Sequence, residues 1–239
     1  MIKTHEFNTD WWGSPVGIVT DRAFFDLPAD ERATLLAPYE WVEFKAPLED
    51  SGIDFLSLQR AGFFLADTQI PYRLKLTGMD SPPSLSNLDV EFADEMPFSV
   101  SAEELMPFDH ERYYRLPGAT REKVTERYAT WSRQQIERHP STCLRVLYKG
   151  KVQGWYLGDD SAGNGLNLTL AMLCREPEIS GLLLFLRGYH AFAGRGHRMG
   201  WASFSVANTP VHNMYVAFGA RILPAVGCWL WVGAGGRNL

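Results

Sequence analysis

Two side chains that could act together stand in the stretch Trp201 to Ala220, WASFSVANTPVHNMYVAFGA. Asn208 and Tyr215 are seven residues apart, close to two turns of a helix, so both can address one crevice. A phenol placed there offers a proton or a hydrogen bond. Its pKa near ~10 makes it a weak acid, which helps most by hydrogen bonding to an atom on which charge develops. Ordinary structure explains the same residues: Asn-Thr-Pro is a usual helix cap, and a helical tyrosine is usually half-buried packing. Tyr113, Tyr114 and Arg115 form a second group. Two adjacent rings in a polar loop can stack on a base or sugar, and the guanidinium can pair a diphosphate. Packing of that loop on a helix is the alternative. His110, His139, His190, His197 and His212 leave a general base unassigned, and water could serve instead. Cys174 has no placed base beside it and reads as a small apolar residue. Asp159 and Asp160 read as turn residues.

The elements that must position these groups follow from periodicity and punctuation. Trp201 to Val206 is an apolar, β-prone run. Pro210 suits a first helical turn and Gly219 the position after the last. Upstream, Leu166 to Cys174 is a strand, Arg175 to Ser180 a loop, and Gly181 opens a helix to about Arg195. Earlier still, Leu144 to Tyr148 and Val152 to Leu157 form a hairpin about Lys149-Gly150-Lys151, and Asp159 to Gly165 is a turn. Thr120 to His139 is a helix with Val124, Tyr128, Trp131 and Ile136 on its apolar face. Ser101 to Glu104 fits a capping box opening a short helix. Leu88 to Phe92 is a strand, and Phe108 to Pro117 is too polar for a core element. The first third carries strands at Pro15 to Asp21 and Trp41 to Ala46, the latter alternating and half-buried, and helices at Leu27 to Leu36 and Asp54 to Ala61, with Gly62 as a stop. Two extended runs lie in Phe63 to Leu76. The chain closes on a hairpin after Gly219.

QRAGFFLADTQIPYRLKL and YVAFGARILPAVGCWLW share one logic: helix, stop glycine, extended segments. Two related α/β halves are expected, the first without the tyrosine. Residues 77–87, TGMDSPPSLSN, are the linker. The expected domains are 1–80 and 86–239.

The totals restrict function. A net charge of -5 gives no electrostatic case for nucleic acid. Three cysteines without metal-type spacing read as reduced thiols of a cytosolic protein, with no metal site. The polar N-terminus is unlike a signal peptide, and the run Gly181 to Leu186 is too short to span a bilayer. A homodimer is compatible with all of this.

The pattern V-x-N-x-x-A-x-x-L-Y-x-x-x-G resembles the last strand–helix unit of the GNAT superfamily of acyl-coenzyme A-dependent N-acyltransferases. It is carried here by Val206, Asn208, Val211, Met214, Tyr215 and Gly219, with Val for Ala, Met for Leu, and Ala220 where Phe usually follows. The element order over residues 86–239 is also that of the superfamily. The resemblance implies an α/β fold with a mixed sheet, a GNAT-like C-terminal domain and a smaller degenerate GNAT-like half before it. It implies acetyl-coenzyme A, or another acyl-coenzyme A, as co-substrate and a small amine as acceptor. Tyr215 would be the general acid and Asn208 would help hold the pantetheine arm. The end of the preceding strand, Leu173 and Cys174, would bind pantetheine and polarise the thioester. The amides of Ser180, Gly181 and Leu182 would receive the pyrophosphate. The family's Q/R-x-x-G-x-G/A loop is here Glu176-Pro177-Glu178-Ile179-Ser180-Gly181, in which only the final glycine matches.

Within the superfamily the chain is most similar to the TDP-fucosamine acetyltransferases, through Trp12 to Val16, Leu36 to Val42, Leu58 to Phe63, and the end from Val206 to Trp231. That similarity implies a nucleotide-linked amino sugar as acceptor, with Tyr113, Tyr114 and Arg115 beside it. A GNAT-fold binding protein without activity and a tandem-GNAT aminoacyl transferase remain alternatives.

Overall fold

The computed structural model describes residues 1–50, 52, 54–79, 81–160 and 165–233. The chain begins with β1 (Ile2–Thr4), α1 (Glu6–Trp12), β2 (Val16–Val19), α2 (Ala29–Leu36), β3 (Trp41–Pro47), α3 (Phe55–Arg60) and β4 (Phe64–Lys75). Asp54 caps α3 through the amides of Leu56 and Ser57, and Gly62 ends it at φ +83°. The two extended runs expected over 63–76 are one strand. Pro71 is tolerated within it because its carbonyl, and so its missing N–H, faces the gap between two pairing partners, where Leu223 donates to it.

The chain continues with β5 (Leu88–Phe92), α4 (Arg121–Arg138), β6 (Cys143–Tyr148), β7 (Lys151–Asp160), β8 (Gly165–Leu173), α5 (Gly181–Gly194), β9 (Met199–Ser205), α6 (Thr209–Ala217), β10 (Arg221–Ile222) and β11 (Val226–Val232). The β6–β7 turn takes positive φ at both Lys149 and Gly150, the twist that a two-residue hairpin needs. Two expectations fail. Ser101 and Glu104 make their mutual bonds, but only a turn forms, because Leu105 is drawn into a bridge with Cys174. Phe108 to Pro117 is not a wholly polar loop: it folds as a 3-10 turn that buries Tyr113 and Leu116 completely or nearly so. Asp159 and Asp160 end β7, and the rest of that expected turn, with Ser51 of the turn before α3, lies outside the described residues.

All the strands share one mixed sheet, ordered β1-β2-β3-β11-β4-β9-β8-β7-β6-β5, with β10 on β4. The terminal hairpin does not form. β11 leaves β10 and inserts between β3 and β4, antiparallel to both, while β4 lies against β9. Parallel pair β2–β3 with α2, then α3 and β4, thus matches parallel pair β8–β9 with α5, then α6 and β11. Each unit gives its last strand to the other. The alternating face of this sheet decides the core. Val42, Phe44 and Trp229 pack under α2 and α3, and Tyr72, Phe204 and Leu168 under α5 and α6. On the opposite face Trp41 and Leu230 pack with α1, α4 and Tyr113. Among the described residues no helix is long and apolar enough to cross a membrane.

Candidate active site

The site begins with a fault in the sheet. β8 and β9 pair in parallel over only Gly165 to Asn167 and Met199 to Trp201. Between Asn167 and Leu170, β8 carries one residue more than its partner β7, a bulge. The bulge changes which face its side chains reach: Leu166 and Leu168 pack with α5 and α6, whereas Leu170 and Met172 pack with α4. Beyond it the two strands separate. The backbone edge of β8 over 168–171 is left without a β9 partner, beside a cavity of about 410 Å³ that reaches both faces of the sheet.

Tyr215 forms the wall of this cavity on the helix face. Its ring lies 4.0 Å from that of Tyr72, tilted by 33°, and stacks on Phe204 at 5.4 Å, and it is 4% exposed. Its hydroxyl is within reach of those of Tyr72, Tyr156 and Tyr189, and Tyr156 donates to Tyr189 at 3.0 Å. The Tyr72 hydroxyl is buried with no well-aligned partner. Burial raises the Tyr215 pKa, and hydrogen bonds from the three neighbouring phenols pull it back. Burial drives the three neighbours well above the phenol range, and Tyr215 pushes Tyr72 and Tyr156 further up. Tyr215 is thus one of four buried phenols within hydrogen-bonding reach of one another. Asn208 also lines the cavity, but it is the cap of α6: its Oδ1 accepts from the Val211 amide at 3.3 Å.

The opposite face supplies a charged floor. Lys45, Cys228 and Asp67 stand in register on β3, β11 and β4, about 4.8 Å apart from strand to strand. Glu43, two residues before Lys45, is 1% exposed and accepts from Arg112 Nε at 2.8 Å and from the Tyr113 hydroxyl at 3.3 Å. Burial pushes its pKa up, but Arg112 with Lys45 outweighs burial and holds the carboxylate below its usual range. Glu111 accepts from the Tyr128 hydroxyl and pairs with Arg112 at 3.5 Å. Asp67 accepts from Ser205 Oγ at 2.6 Å. Beyond the floor the cavity is continuous with a shallower groove bordered by Trp131, Trp201, Asn167, Thr169, Ser203 and Gln69.

The other expected residues fall in three places. Leu173 ends β8 and Cys174 follows it in a bridge with Leu105; burial raises the Cys174 thiol, so Cys174 is not an activated nucleophile. Ser180 caps α5, its Oγ accepting from Leu183, while the amides of Gly181 and Leu182 lie in the first turn, where no intrahelical acceptor exists. The two glutamates of that loop do not both face it. Glu178 gives its amide to Gln153 at 2.6 Å and its carboxylate to Lys151 at 3.1 Å. Ile179 packs into the core. Tyr113, Tyr114 and Arg115 do not form a stacking site. Tyr113 lines the cavity but its ring is enclosed by Trp11, Trp41 and two arginines, Tyr114 donates to the Phe108 carbonyl at 2.8 Å, and Arg115 is exposed and absent from the lining. The preceding residue, Arg112, is the one turned inward.

Glu43, Asp67, Arg112 and Tyr156 were not singled out in the sequence. The alternation of Trp41 to Ala46 could have flagged Glu43 only under the assumption that both faces of β3 are covered. Asp67 and Ser205 are 138 residues apart and meet through the exchange of last strands. His5 also lines the cavity. Burial lowers its pKa, and its Nδ1 is occupied by the Asn8 amide at 3.3 Å. Among the described residues no group of three or more His, Cys, Asp or Glu could hold a metal ion.

Several solved structures share the overall fold of this chain. One is the tandem GNAT protein from the clavulanic acid biosynthesis pathway, with 11% identity over 92% of this chain and 76% of that one and a TM-score of 0.52. The chain has a GNAT fold. A GCN5-related N-acetyltransferase from Kribbella flavida superposes with a TM-score of 0.56, 11% identity, and 92% and 82% coverage of the two chains. A GCN5-related N-acetyltransferase from Sphaerobacter thermophilus gives 0.51, 15% and 84%, and this chain spans 64% of its length. At these identities the GNAT likeness is one of fold. No family model matches the chain. No curated protein sequence matches it either.

Proposed function

We propose that the chain transfers an acyl group, acetyl first, from an acyl-coenzyme A to the amino group of a small acceptor. The observation that carries this reading is the cavity at the β8–β9 splay, which joins the two faces of the sheet and has Tyr215 on its helix-face wall. The residues present fit such a donor. The unpaired edge of β8 over 168–171 offers amides and carbonyls to a pantetheine arm, and Asn208 borders the same opening. The amides of Gly181 and Leu182 with the α5 dipole suit a pyrophosphate, and Lys151 draws the Glu178 carboxylate aside. When bound, the donor supplies an activated acyl carbon and a thiol leaving group. The chain aligns the acceptor on the opposite face, excludes water with Phe204 and Phe185, and holds the Tyr215 proton for the sulfur.

An amino sugar suits the acceptor groove. Trp131 and Trp201 offer faces for a pyranose, and Asn167, Thr169, Ser203 and Gln69 offer amides and hydroxyls for its ring substituents. A nucleotide on that sugar would extend past the groove toward solvent, since Tyr113 has no free face to stack on it. Loss of donor binding is the second reading, favoured by Ile179, which packs half-buried against the core where the family's loop has glycine.

One experiment separates the two. Acetyl-coenzyme A at ~100 times its Kd adds about 2.7 kcal/mol to stability and raises Tm. The expected result is a saturable rise absent with ATP. With it, Tyr215→Phe lowers turnover about 10²-fold while the donor-induced rise persists. No rise with any coenzyme A compound establishes the second reading. Unchanged turnover in Tyr215→Phe removes its role as acid.

A further inference from the structure

We propose that Asp67 binds the acceptor as its ammonium and takes the proton that must leave before the nitrogen can attack. The assignment rests on the N-acyltransfer reading and deepens it by naming the group that prepares the nucleophile.

Three acids line the cavity, and two are already committed. Glu43 is held by Arg112 and Lys45, and Glu111 by Tyr128 and Arg112. Among the described residues, Asp67 is the one acid of the cavity without an ion-pair partner. Its carboxylate accepts hydrogen bonds from the Ser205 hydroxyl and the Thr68 amide, and as a carboxylate with more than two acceptor sites it can still accept from a ligand in the cavity it lines. A half-buried, unpaired carboxylate with no protein cation is a seat for a cation brought by a ligand.

Its position matches the task. Ser205 is the last residue of β9 and faces the same side as Gln69 and Asp67, whereas Phe204 faces Tyr215. The carboxylate and the phenol therefore flank the splay from opposite faces, one for the incoming nitrogen and one for the departing sulfur. The groove bordered by Trp131 and Trp201 leads to the Asp67 side, sharing Gln69 and Ser203 with the cavity.

The surroundings tune the carboxylate as a base. Burial raises its pKa, against the Ser205 hydrogen bond and Arg112, while Glu111 raises it further. Lys45 and Cys228 share its row on the neighbouring strands, and burial keeps the Cys228 thiol neutral with a pKa of about 11. Glu43 and Arg127 face the cavity as charges with partners of their own. Burial lowers the His5 pKa, and His110 is exposed. Within the same cavity an ammonium loses hydration, which makes it more acidic and opposes the stabilisation it gains from the Asp67 carboxylate.

The protons balance. The ammonium gives one proton to the Asp67 carboxylate, leaving a neutral amine and a carboxylic acid that later returns its proton to water. The amine lone pair forms the carbon–nitrogen bond as the carbon–sulfur bond breaks. Sulfur takes a proton through Tyr215, and the second nitrogen proton restores the phenol. The sum is amide, free thiol and one proton released.

The test uses the full chain, acetyl-coenzyme A, and D-glucosamine and ethanolamine as acceptor probes. Thiol release is followed from pH 5 to 9 in the wild type, Asp67→Asn and Ser205→Ala. Asp67→Asn is expected to lose 10²-fold or more in kcat, with the acetyl-coenzyme A KM within twofold and the acidic limb of the pH profile abolished. Ser205→Ala keeps that limb and moves it to higher pH, because it removes the hydrogen bond that favours the charged form. A merely structural role moves neither limb. In parallel, carboxyl ¹³C resonances, assigned by the Asp67→Asn difference, are titrated. Asp67 is expected above the ordinary aspartate value and higher still in Ser205→Ala. Turnover in Asp67→Asn equal to wild type, or an Asp67 titration at or below the ordinary value, overturns the proposal. If neither amine is acetylated, the titration decides alone. A wild type whose Tm does not respond to acetyl-coenzyme A overturns the N-acyltransfer reading, and this role with it. A wild type that responds beside an unimpaired Asp67→Asn overturns this role only.

Discussion

Glu43 and Asp67 lie on the same floor and are opposite cases of a buried carboxylate. Glu43 is nearly inaccessible, yet its pKa falls, because Arg112 at 2.8 Å and Lys45 at 3.6 Å more than repay the loss of water. Asp67 is half-buried without a cation, and its pKa rises. The two make opposite contributions to folding. A depressed carboxylate stabilises the fold above its unfolded pKa and ceases to as pH falls through its folded value. Glu43→Gln is therefore expected to cost about 3 kcal/mol at pH 7, since among the described residues Arg112 then keeps only Glu111 as a carboxylate partner, beside its hydrogen bond to Tyr113. The deficit should shrink as pH drops below the ordinary glutamate value of about 4.3. Urea unfolding of both proteins at pH 7 and pH 4 measures this, and a deficit equal at both pH values would show that the pair is not the cause. Asp67 carries the reverse sign: its raised pKa penalises the fold at neutral pH, a cost borne by a functional group.

At the scale of elements, the site depends on how closely α5 lies on the sheet. Gly188 sits where a Cβ would come within 2.4 Å of the Tyr156 ring, which is 1% exposed and cannot swing away. The glycine lets the helix seat Tyr189 and Phe185 against Tyr156, and those rings set the environment of Tyr215. Gly188→Ala should lift α5, cost about 1–3 kcal/mol by overpacking despite the better helix propensity of alanine, and lower turnover alongside. Denaturant midpoints read the first effect, and a midpoint that rises would mean that helix propensity outweighs the contact. The α5 and α6 boundaries were legible in sequence, because Ser180, Asn208 and Gly219 are local signals acting over one turn. The Ser101 box was equally legible and misled, because Leu105 gains more from the bridge beside Cys174 than from a helical turn.

For the whole molecule the decisive feature is the exchange of β4 and β11. β9 has β4 as its antiparallel neighbour, and β11 finds both of its partners, β3 and β4, in the first 75 residues. Residues 86–239 alone would leave β9 with an open edge and Trp229, Leu230 and Val232 without cover. That fragment is expected to aggregate or remain unfolded, and co-expression with residues 1–80 to restore a folded complex. Circular dichroism and size exclusion of each form check this, and a cooperative unfolding transition from 86–239 alone would refute it. The exchange also builds the charged floor of the cavity, since it brings Lys45, Cys228 and Asp67 into one row beside Ser205.

What the sequence by itself determined is everything encoded over short range. The period of α4, the extended runs of β3 and β8, the Lys149-Gly150 hairpin, the caps and stop glycines, and the Asn208–Tyr215 spacing needed no distant partner. The repeated helix–glycine–strand logic is also written in the residues. Tertiary structure alone decided which strand each repeat pairs with, because an apolar strand such as Val226–Val232 carries no record of its neighbours and several registers satisfy its alternation. It also decided which face is wet. Glu43 on an alternating strand looks solvated until Arg112 is placed on it, and Asp67 looks unremarkable until the strands part beside it. The acid of the proposed reaction lies within a local motif, whereas its proposed base exists only through contacts between residues more than a hundred positions apart.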